Sequence, residues 1–192
     1  MQYDNAPAIL REYLMYLSVV NGKSQKTIYE YHLDLVNYLK FIKKSKNSLK
    51  EELDEIIITD VDIDFIKTIT LEDTYEYLKR INFYKMHVFK YSPRKGTKAA
   101  EMKNQIPGDI KEIRSKRLLE LSDENEIRYL DSYIGKEVEV LIEEEVMGYY
   151  VGHTSNFIKV KVKSSNVIER NSIIKVKVEK AYDSYVIAKE EL

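Results

Sequence analysis

The chain has 192 residues, 44 % hydrophobic and 33 % charged, with a formal net charge of −1; that length allows one or two domains with real cores, in the composition of a charge-rich globular protein. It contains no cysteine, which excludes disulfides, thiolate metal sites and thiol catalysis. Met1 to Ala8 shows no basic-then-apolar leader and no apolar run approaches the ~20 residues of a membrane helix, so a cytoplasmic chain without a membrane partner is expected. The charge is uneven: residues 1–82 hold 11 basic and 14 acidic groups, residues 83–135 hold 11 and 8, and residues 136–192 hold 9 and 10. Any nucleic-acid binding must therefore come from local clustering of lysines rather than from global attraction.

Residues 1–82 read as helical. Ile9, Tyr13, Leu14, Tyr16 and Leu17 recur at helical spacing, and Asn21-Gly22 ends that helix. Ser24 caps a second helix expected from Gln25 to about Lys43, with an apolar stripe of Ile28, Tyr31, Leu35, Tyr38, Leu39 and Ile42. Lys40, Lys43, Lys44 and Lys46 gather at its end, where cations favour the helix dipole. A polar loop is expected next, then a short helix starting within Asp60–Ile66. Thr70 caps a fourth helix, with Glu72 and Asp73 in its first turn and Tyr75, Leu78 and Ile81 facing inward. Lys23, Ser24, Lys26 and Thr27 stand at a helix start with Tyr31 one turn on. Helix-start amides beside lysines predict a phosphate clamp for duplex DNA; an ordinary capped helix is the alternative, and the acidic balance of this segment favours it.

Residues 86–134 open on an extended apolar run, Met86 to Tyr91, followed by a loop marked by Pro93 and Gly96 that carries Arg94, Lys95 and Lys98. Pro107-Gly108-Asp109 then opens a helix reaching about Tyr133, with Ile110, Ile113, Arg117, Leu118, Leu121, Ile127, Leu130 and Ile134 along it, and Gly135 ends it.

From residue 136 the period becomes two. Val138, Val140 and Ile142, then Ile158, Val160 and Val162, then Ile174, Val176 and Val178 alternate with charged residues, and Tyr185 and Ile187 begin a last strand. Four or five short strands with one apolar face each predict a small closed antiparallel barrel. The alternation places Lys159, Lys161 and Lys163 on its outer side, flanked by Lys175 and Lys177 on a strand expected to lie alongside. There they would track phosphates while Tyr149, Tyr150 or Phe157 stack on unpaired bases; a solvated face whose lysines discourage edge pairing is the alternative. His153 and Asn156 fall in the same stretch. No histidine pair has metal spacing and no Gly-rich phosphate loop occurs, so no catalytic residue, metal site or cofactor is assigned.

Two resemblances follow from these residues. Thr27-Ile28-Tyr29-Glu30-Tyr31, Asp34-Leu35, Ile69-Thr70-Leu71-Glu72-Asp73 and Tyr77-Leu78 resemble the amino-terminal, SAM-like core-binding domain of tyrosine recombinases of the phage-integrase type, over about residues 7–84. That resemblance implies a clamp on duplex DNA, and this domain is truncated: the family's following helix and catalytic residues have no counterpart here. The run MHVFKYSPRKGTKAA from Met86 to Ala100, with GYYVGHTSNFIKVKV from Gly148 to Val162, is similar to the C-terminal part of the radical-SAM tRNA methylthiotransferases that act on threonylcarbamoyladenosine, ending in a TRAM barrel. That resemblance implies an OB-like barrel that binds tRNA. It also implies that Met86–Tyr91 is an orphaned barrel strand, which must find new pairs, pack as coil or stay mobile. The family's iron–sulfur loop needs three cysteines, and this chain has none.

The expected fold is α+β: a helical bundle at 1–84, a barrel remnant and long linking helix at 85–135, and an OB-like barrel at 136–192. The expected function is non-catalytic nucleic-acid binding, with tRNA held by the barrel through Tyr149, Tyr150, His153, Asn156, Phe157, Lys159, Lys161, Lys163, Lys175 and Lys177. Duplex DNA is expected at Lys23, Ser24, Lys26, Thr27 and Tyr31. The alternatives are a portion of a tRNA methylthiotransferase needing a separate cluster-bearing chain, or an integrase-like accessory module. An open apolar stripe on the truncated bundle predicts a homodimer or docking on the middle helix.

Overall fold

Two apolar patterns of different period build two separate cores. The computed structural model describes residue 3 and residues 5–190, with the side chains of residues 98 and 99 outside that description. The chain divides into two units, Met1–Ile81 and Asn82–Leu192, slightly before the expected seam at 84/85. No described helix is long and apolar enough to cross a membrane.

In the first unit, α1 (Ala8–Val19) buries Leu10, Leu14 and Leu17, an i, i+4, i+7 line; Tyr13 and Tyr16 of the expected stripe lie exposed. α2 (Gln25–Lys46) begins at Ser24, whose Oγ accepts the Thr27 amide at 3.1 Å, and buries Ile28, Leu39 and Ile42. The following stretch is not merely a polar loop. It contributes Ile56, Ile58 and Val61 to the helical core before α3 (Ile63–Lys67) starts under the Asp62 cap.

Lysines fasten that stretch. Lys40 donates to the Asp54 carbonyl at 2.6 Å, Lys44 donates to the Glu51 carbonyl, and Lys43 reaches both the Ile57 carbonyl at 2.8 Å and Asp60 Oδ1 at 2.5 Å. Cations at a helix end are expected to balance its dipole; here they also satisfy loop carbonyls that would otherwise compete for water. α4 (Leu71–Ile81) opens where the Thr70 amide and hydroxyl both bond Asp73, and Lys46 lies 2.9 Å from the same carboxylate. α4 is only half-buried, and its Ile81 is exposed rather than inward.

The second unit starts as coil. Residues 83–91 form no strand; they run antiparallel along α6 (Gly108–Asp131), after which comes the single turn of α5 (Lys98–Glu101). With 24 residues, α6 is about 36 Å long. The buried face of α6 in this stretch is polar. Asn125 Nδ2 donates to the Phe83 carbonyl at 3.0 Å, and Ser122 Oγ accepts the Met86 amide at 2.9 Å. Glu126, only 5 % exposed, takes Lys85 at 3.0 Å and the Tyr84 hydroxyl at 3.4 Å. Farther along, Lys90 pairs with Glu112, and Lys111 donates to the Tyr91 carbonyl at 3.2 Å. A segment without strand partners thus has its backbone groups met by side chains of a helix. Ile110, Ile113, Ile127 and Ile134 of the expected apolar line are exposed; Leu121 and Leu130 are buried. The helix expected to link the two parts belongs to the second unit, where Leu130 enters the barrel core.

Five strands close the barrel: β1 (Glu137–Val146), β2 (Tyr149–His153), β3 (Lys159–Lys163), β4 (Ile173–Tyr182) and β5 (Tyr185–Glu190), in the order β1-β2-β3-β5-β4, with β4 returning to β1. Every pairing is antiparallel except β3 with β5. This is the closed, partly Greek-key arrangement of an OB-like barrel. Val140, Ile142, Ile158, Val160, Val162, Val176, Val178, Val186 and Ala188 fill it. Met147 and Gly148, both at positive φ (51° and 78°), make the tight β1–β2 turn. Two bulges interrupt the alternation, between Ile142 and Glu144 in β1 and between Val178 and Lys180 in β4.

Beside the first bulge the backbones of β1 and β2 approach so closely that a Cβ on Gly152 would sit 1.9 Å from the Leu141 carbonyl oxygen. Backbone cannot yield as a flexible side chain does. Gly152→Ala is therefore expected to destabilise the barrel by ~1–3 kcal/mol or more, seen as a lower thermal midpoint by circular dichroism; an unchanged midpoint would refute the packing described.

The helical unit should respond to acid. The Lys43 bond holds the Asp60 carboxyl below its ordinary value of 3.8. Burial alone would raise Asp73, but its bonds from Lys46 and Thr70 outweigh burial and lower it. Stability from such groups is present above the ordinary value and is lost as pH falls through the depressed folded values. The double variant Lys43→Ala/Lys46→Ala is expected to be less stable near neutrality and to lose less of its remaining stability on acidification, measured by urea titrations at a series of pH values. An acid limb as steep in the variant as in the parent would count against these pairs.

Candidate nucleic-acid interface

The outer side of the barrel is set by register. Val160 pairs with Val186 and Val162 with Ala188, all buried, so Lys161, Lys163, Ile187 and Lys189 point outward. Lys163 stands opposite Lys189, and Lys189 stands opposite Lys177 on the other flank of β5. A row of three lysines thus crosses β3, β5 and β4. One step toward the β4–β5 turn, Lys161, Ile187 and Lys180 form a second row. Beyond it Tyr185 and Tyr182 pair at the hairpin end, and Lys159 is the next outward position on β3. Neighbouring strands lie ~4.8 Å apart and outward positions ~6.7 Å apart along a strand, so the ammonium groups stand close enough to focus potential on one polyanion. Among the described residues none of Lys163, Lys177, Lys180 or Lys189 makes an ion pair.

β3 and β4 are therefore not neighbours, contrary to the expectation from their alternation; β5 lies between them and completes the face with Lys189. Lys175 points outward like Lys177, but it lies beyond the described pairing of β4 with β5, and it stands opposite Glu139, as Lys177 does opposite Glu137, across the β1–β4 ladder.

The remaining predicted residues divide between the faces. Tyr149 is half-buried in a shallow hollow with Lys159, Lys161 and Val151. Tyr150, its neighbour in a strand, packs against the barrel core instead. His153 Nδ1 lies 2.8 Å from Glu143 Oε2. Both line a cavity of about 580 Å³ with Glu139, Leu141, Phe157 and Ile173. Phe157 is 81 % exposed with φ at +63°, a strained conformation for a bulky side chain. This hollow is apolar with an acidic rim, a poor seat for phosphate.

Asn156 is engaged within the protein. Its Nδ2 donates to the hydroxyls of Tyr129 (2.8 Å) and Tyr133 (2.9 Å), while its Oδ1 accepts from Thr154 Oγ1 at 2.7 Å. It ties the β2–β3 loop to the end of α6. The Tyr133 bond and burial push the Tyr129 hydroxyl up, partly offset by Asn156.

In the helical unit, Ser24 and Thr27 hydroxyls bond each other at 2.9 Å and serve the cap. Lys26, Thr27 and Tyr31 share a shallow hollow with Glu30 and Asp34, and Lys23 is exposed beside them. The DNA candidates are thus brought together, but with two carboxylates among them. Arg94 and Lys95 are exposed before α5, and the Lys98 side chain lies outside the described residues. Among the described residues no three His, Asp or Glu side chains converge as metal ligands.

The residues missed by sequence reading are Lys180, Lys189, Tyr182 and Tyr185. Their signal was present in the Tyr185-Ile187-Lys189 alternation. Placing it needed the non-local parallel pairing of β5 with β3.

Fold and face together define the second unit as an OB-like barrel with a basic three-strand surface. No family model matches the chain. It is 43 % identical over 121 residues to the tRNA-2-methylthio-N(6)-dimethylallyladenosine synthase of Aquifex aeolicus, covering 62 % of this chain and 27 % of that protein. It is 34 % identical over 151 residues to the threonylcarbamoyladenosine tRNA methylthiotransferase MtaB of Bacillus subtilis, covering 74 % of this chain and 33 % of that one. It is also 43 % identical over 74 residues to the tyrosine recombinase XerC of Caldanaerobacter subterraneus, covering 38 % of this chain and 21 % of the recombinase. The chain therefore has relatives in two unrelated families and spans a third or less of each of these proteins.

If Asn156 serves architecture rather than RNA, Asn156→Ala should destabilise the barrel by ~1 kcal/mol, because the Tyr129 and Tyr133 hydroxyls keep each other but lose the donor they share, and the Thr154 hydroxyl loses its acceptor. Nucleic-acid affinity of the folded variant should be unchanged. Weakened binding at an unchanged melting temperature would reverse that assignment.

Proposed function

We propose that this chain holds tRNA on the β3–β5–β4 face of its barrel and catalyses no reaction itself, in the cytoplasm. The observation that carries the reading is the Lys163–Lys189–Lys177 row, three cations set side by side by strand register, with no ion pair to a carboxylate among the described residues. Two relatives whose names specify tRNA modification support the choice of nucleic acid. Composition supports the absence of catalysis, since no cysteine is present to hold the cluster that the resemblance implies. A further reading, that the chain completes a methylthiotransferase whose cluster-bearing part is a separate chain, uses the same face for the same task.

Phosphate binding makes affinity depend on salt, with a slope of ~0.7–0.9 per phosphate neutralised. The full chain is expected to bind tRNA with a clear salt slope in filter-binding titrations. The triple variant Lys163→Glu/Lys177→Glu/Lys189→Glu should bind weakly with a slope reduced by about 2–3. Affinity for tRNA no better than for a neutral polymer at low salt would end the proposal.

The XerC match favours a second interaction, of duplex DNA with Lys23 and Lys26 at the start of α2. Its mark in the same titrations is loss of duplex DNA binding in Lys23→Glu/Lys26→Glu with tRNA binding intact. Equal duplex binding by the variant and the parent would remove it.

A further inference from the structure

The hairpin end of the lysine face carries an aromatic pair that neither family resemblance assigns. Tyr182 and Tyr185 close the β4–β5 turn opposite each other. Their rings stack with centroids 5.0 Å apart and planes 12° from parallel. Lys161 Nζ sits 3.8 Å from the Tyr185 ring centroid. Lys161, Tyr185 and Tyr182 thus form one continuous stack, and Tyr185 is engaged by both neighbours. Tyr182 is 43 % exposed and has Tyr185 as its one aromatic neighbour among the described residues.

Stacking one ring on another at the surface covers one face of each and leaves the outermost face wet. Lys180, one outward step away on the same strand, is the nearest lysine of the face to Tyr182, and the Lys163–Lys189–Lys177 row lies one outward step beyond it. A flat apolar surface beside a row of cations matches a nucleotide, whose base is flat and whose phosphate is anionic. Duplex RNA keeps its bases paired and stacked on each other, so it offers phosphates but no free base face.

We propose that Tyr182, backed by Tyr185, is a platform on which one unpaired RNA base stacks while Lys180 holds the adjoining phosphate and Lys189 and Lys163 meet phosphates farther along the strand. The proposal rests on the RNA-binding reading above and narrows its ligand to single-stranded or looped RNA. Phe157 and Tyr149, the aromatic residues first expected to do this, do not share the arrangement: Phe157 faces the acidic hollow, and Tyr149 is half-buried.

The test uses the full chain and a short fluorescein-labelled RNA, single-stranded or annealed to its complement, with anisotropy titrations at low salt. Base stacking is worth roughly 5- to 150-fold in affinity per base. Tyr182→Ala should lose that much for the single strand, keep its duplex affinity and keep its salt slope. Tyr182→Phe, which retains the ring, should bind as the parent does. Thermal melts of both variants report folding. If Tyr182→Ala binds the single strand like the parent while Lys189→Glu weakens it, the platform is overturned and the RNA-binding reading stands. If Tyr182→Ala weakens single strand and duplex equally, the ring is a structural support and the platform is likewise overturned. If the parent binds neither RNA, both readings fall together.

Discussion

Strand β5 is the constraint on which the second unit depends. It is the last described strand, yet it sits between β3 and β4, parallel to one and antiparallel to the other. Without it two strand edges would stand open, and exposed edges recruit other chains. With it the barrel closes, its valines are sealed from water, and lysines far apart in sequence stand side by side. The core and the lysine face are thus consequences of one insertion. Burial of Val186 and Ala188 on the inner side forces Ile187 and Lys189 outward on the other.

Charge on this molecule is sorted rather than abundant. The barrel segment is nearly neutral by count, but β1 collects Glu137, Glu139, Glu143, Glu144 and Glu145 while β3, β5 and β4 collect lysines. Between them, Glu137 and Glu139 meet Lys177 and Lys175 across the β1–β4 ladder. The potential around the barrel is therefore attractive to an anion on one side and repulsive on the other. Net charge alone would have hidden this.

Much of the architecture was legible because local chemistry and global structure agree there. Ser24 caps the helix it precedes, and the switch from helical spacing to alternation marks the barrel. Elsewhere the sequence speaks only through partners distant in the chain. Ile56, Ile58 and Val61 look like loop residues until lysines from α2 pin them over the helical core. Ser122, Asn125 and Glu126 look like solvent-facing positions of α6, so the line of Ile110, Ile113 and Ile127 is the natural choice for its inner side. The coil at 83–86 reverses that choice, because an unpaired backbone needs hydrogen bonds more than it needs apolar cover. The candidate face was half legible for the same reason. Each strand's outward lysines can be read from its own period, whereas which strands lie together cannot.

The bulge at Glu179 shows how finely that face is set. Strict alternation from the inward Val178 would turn Lys180 and Tyr182 into the barrel and Ala181 to solvent. The extra residue resets the phase, so that Ala181 packs inward while Lys180 and Tyr182 emerge beside β5. Most positions on a surface strand tolerate exchange of one side chain for another. Here the bulge and its extra residue go together: straightening the strand with Glu179 kept would carry a lysine and a tyrosine indoors together, whereas deleting Glu179 would leave both outside in an unbroken ladder.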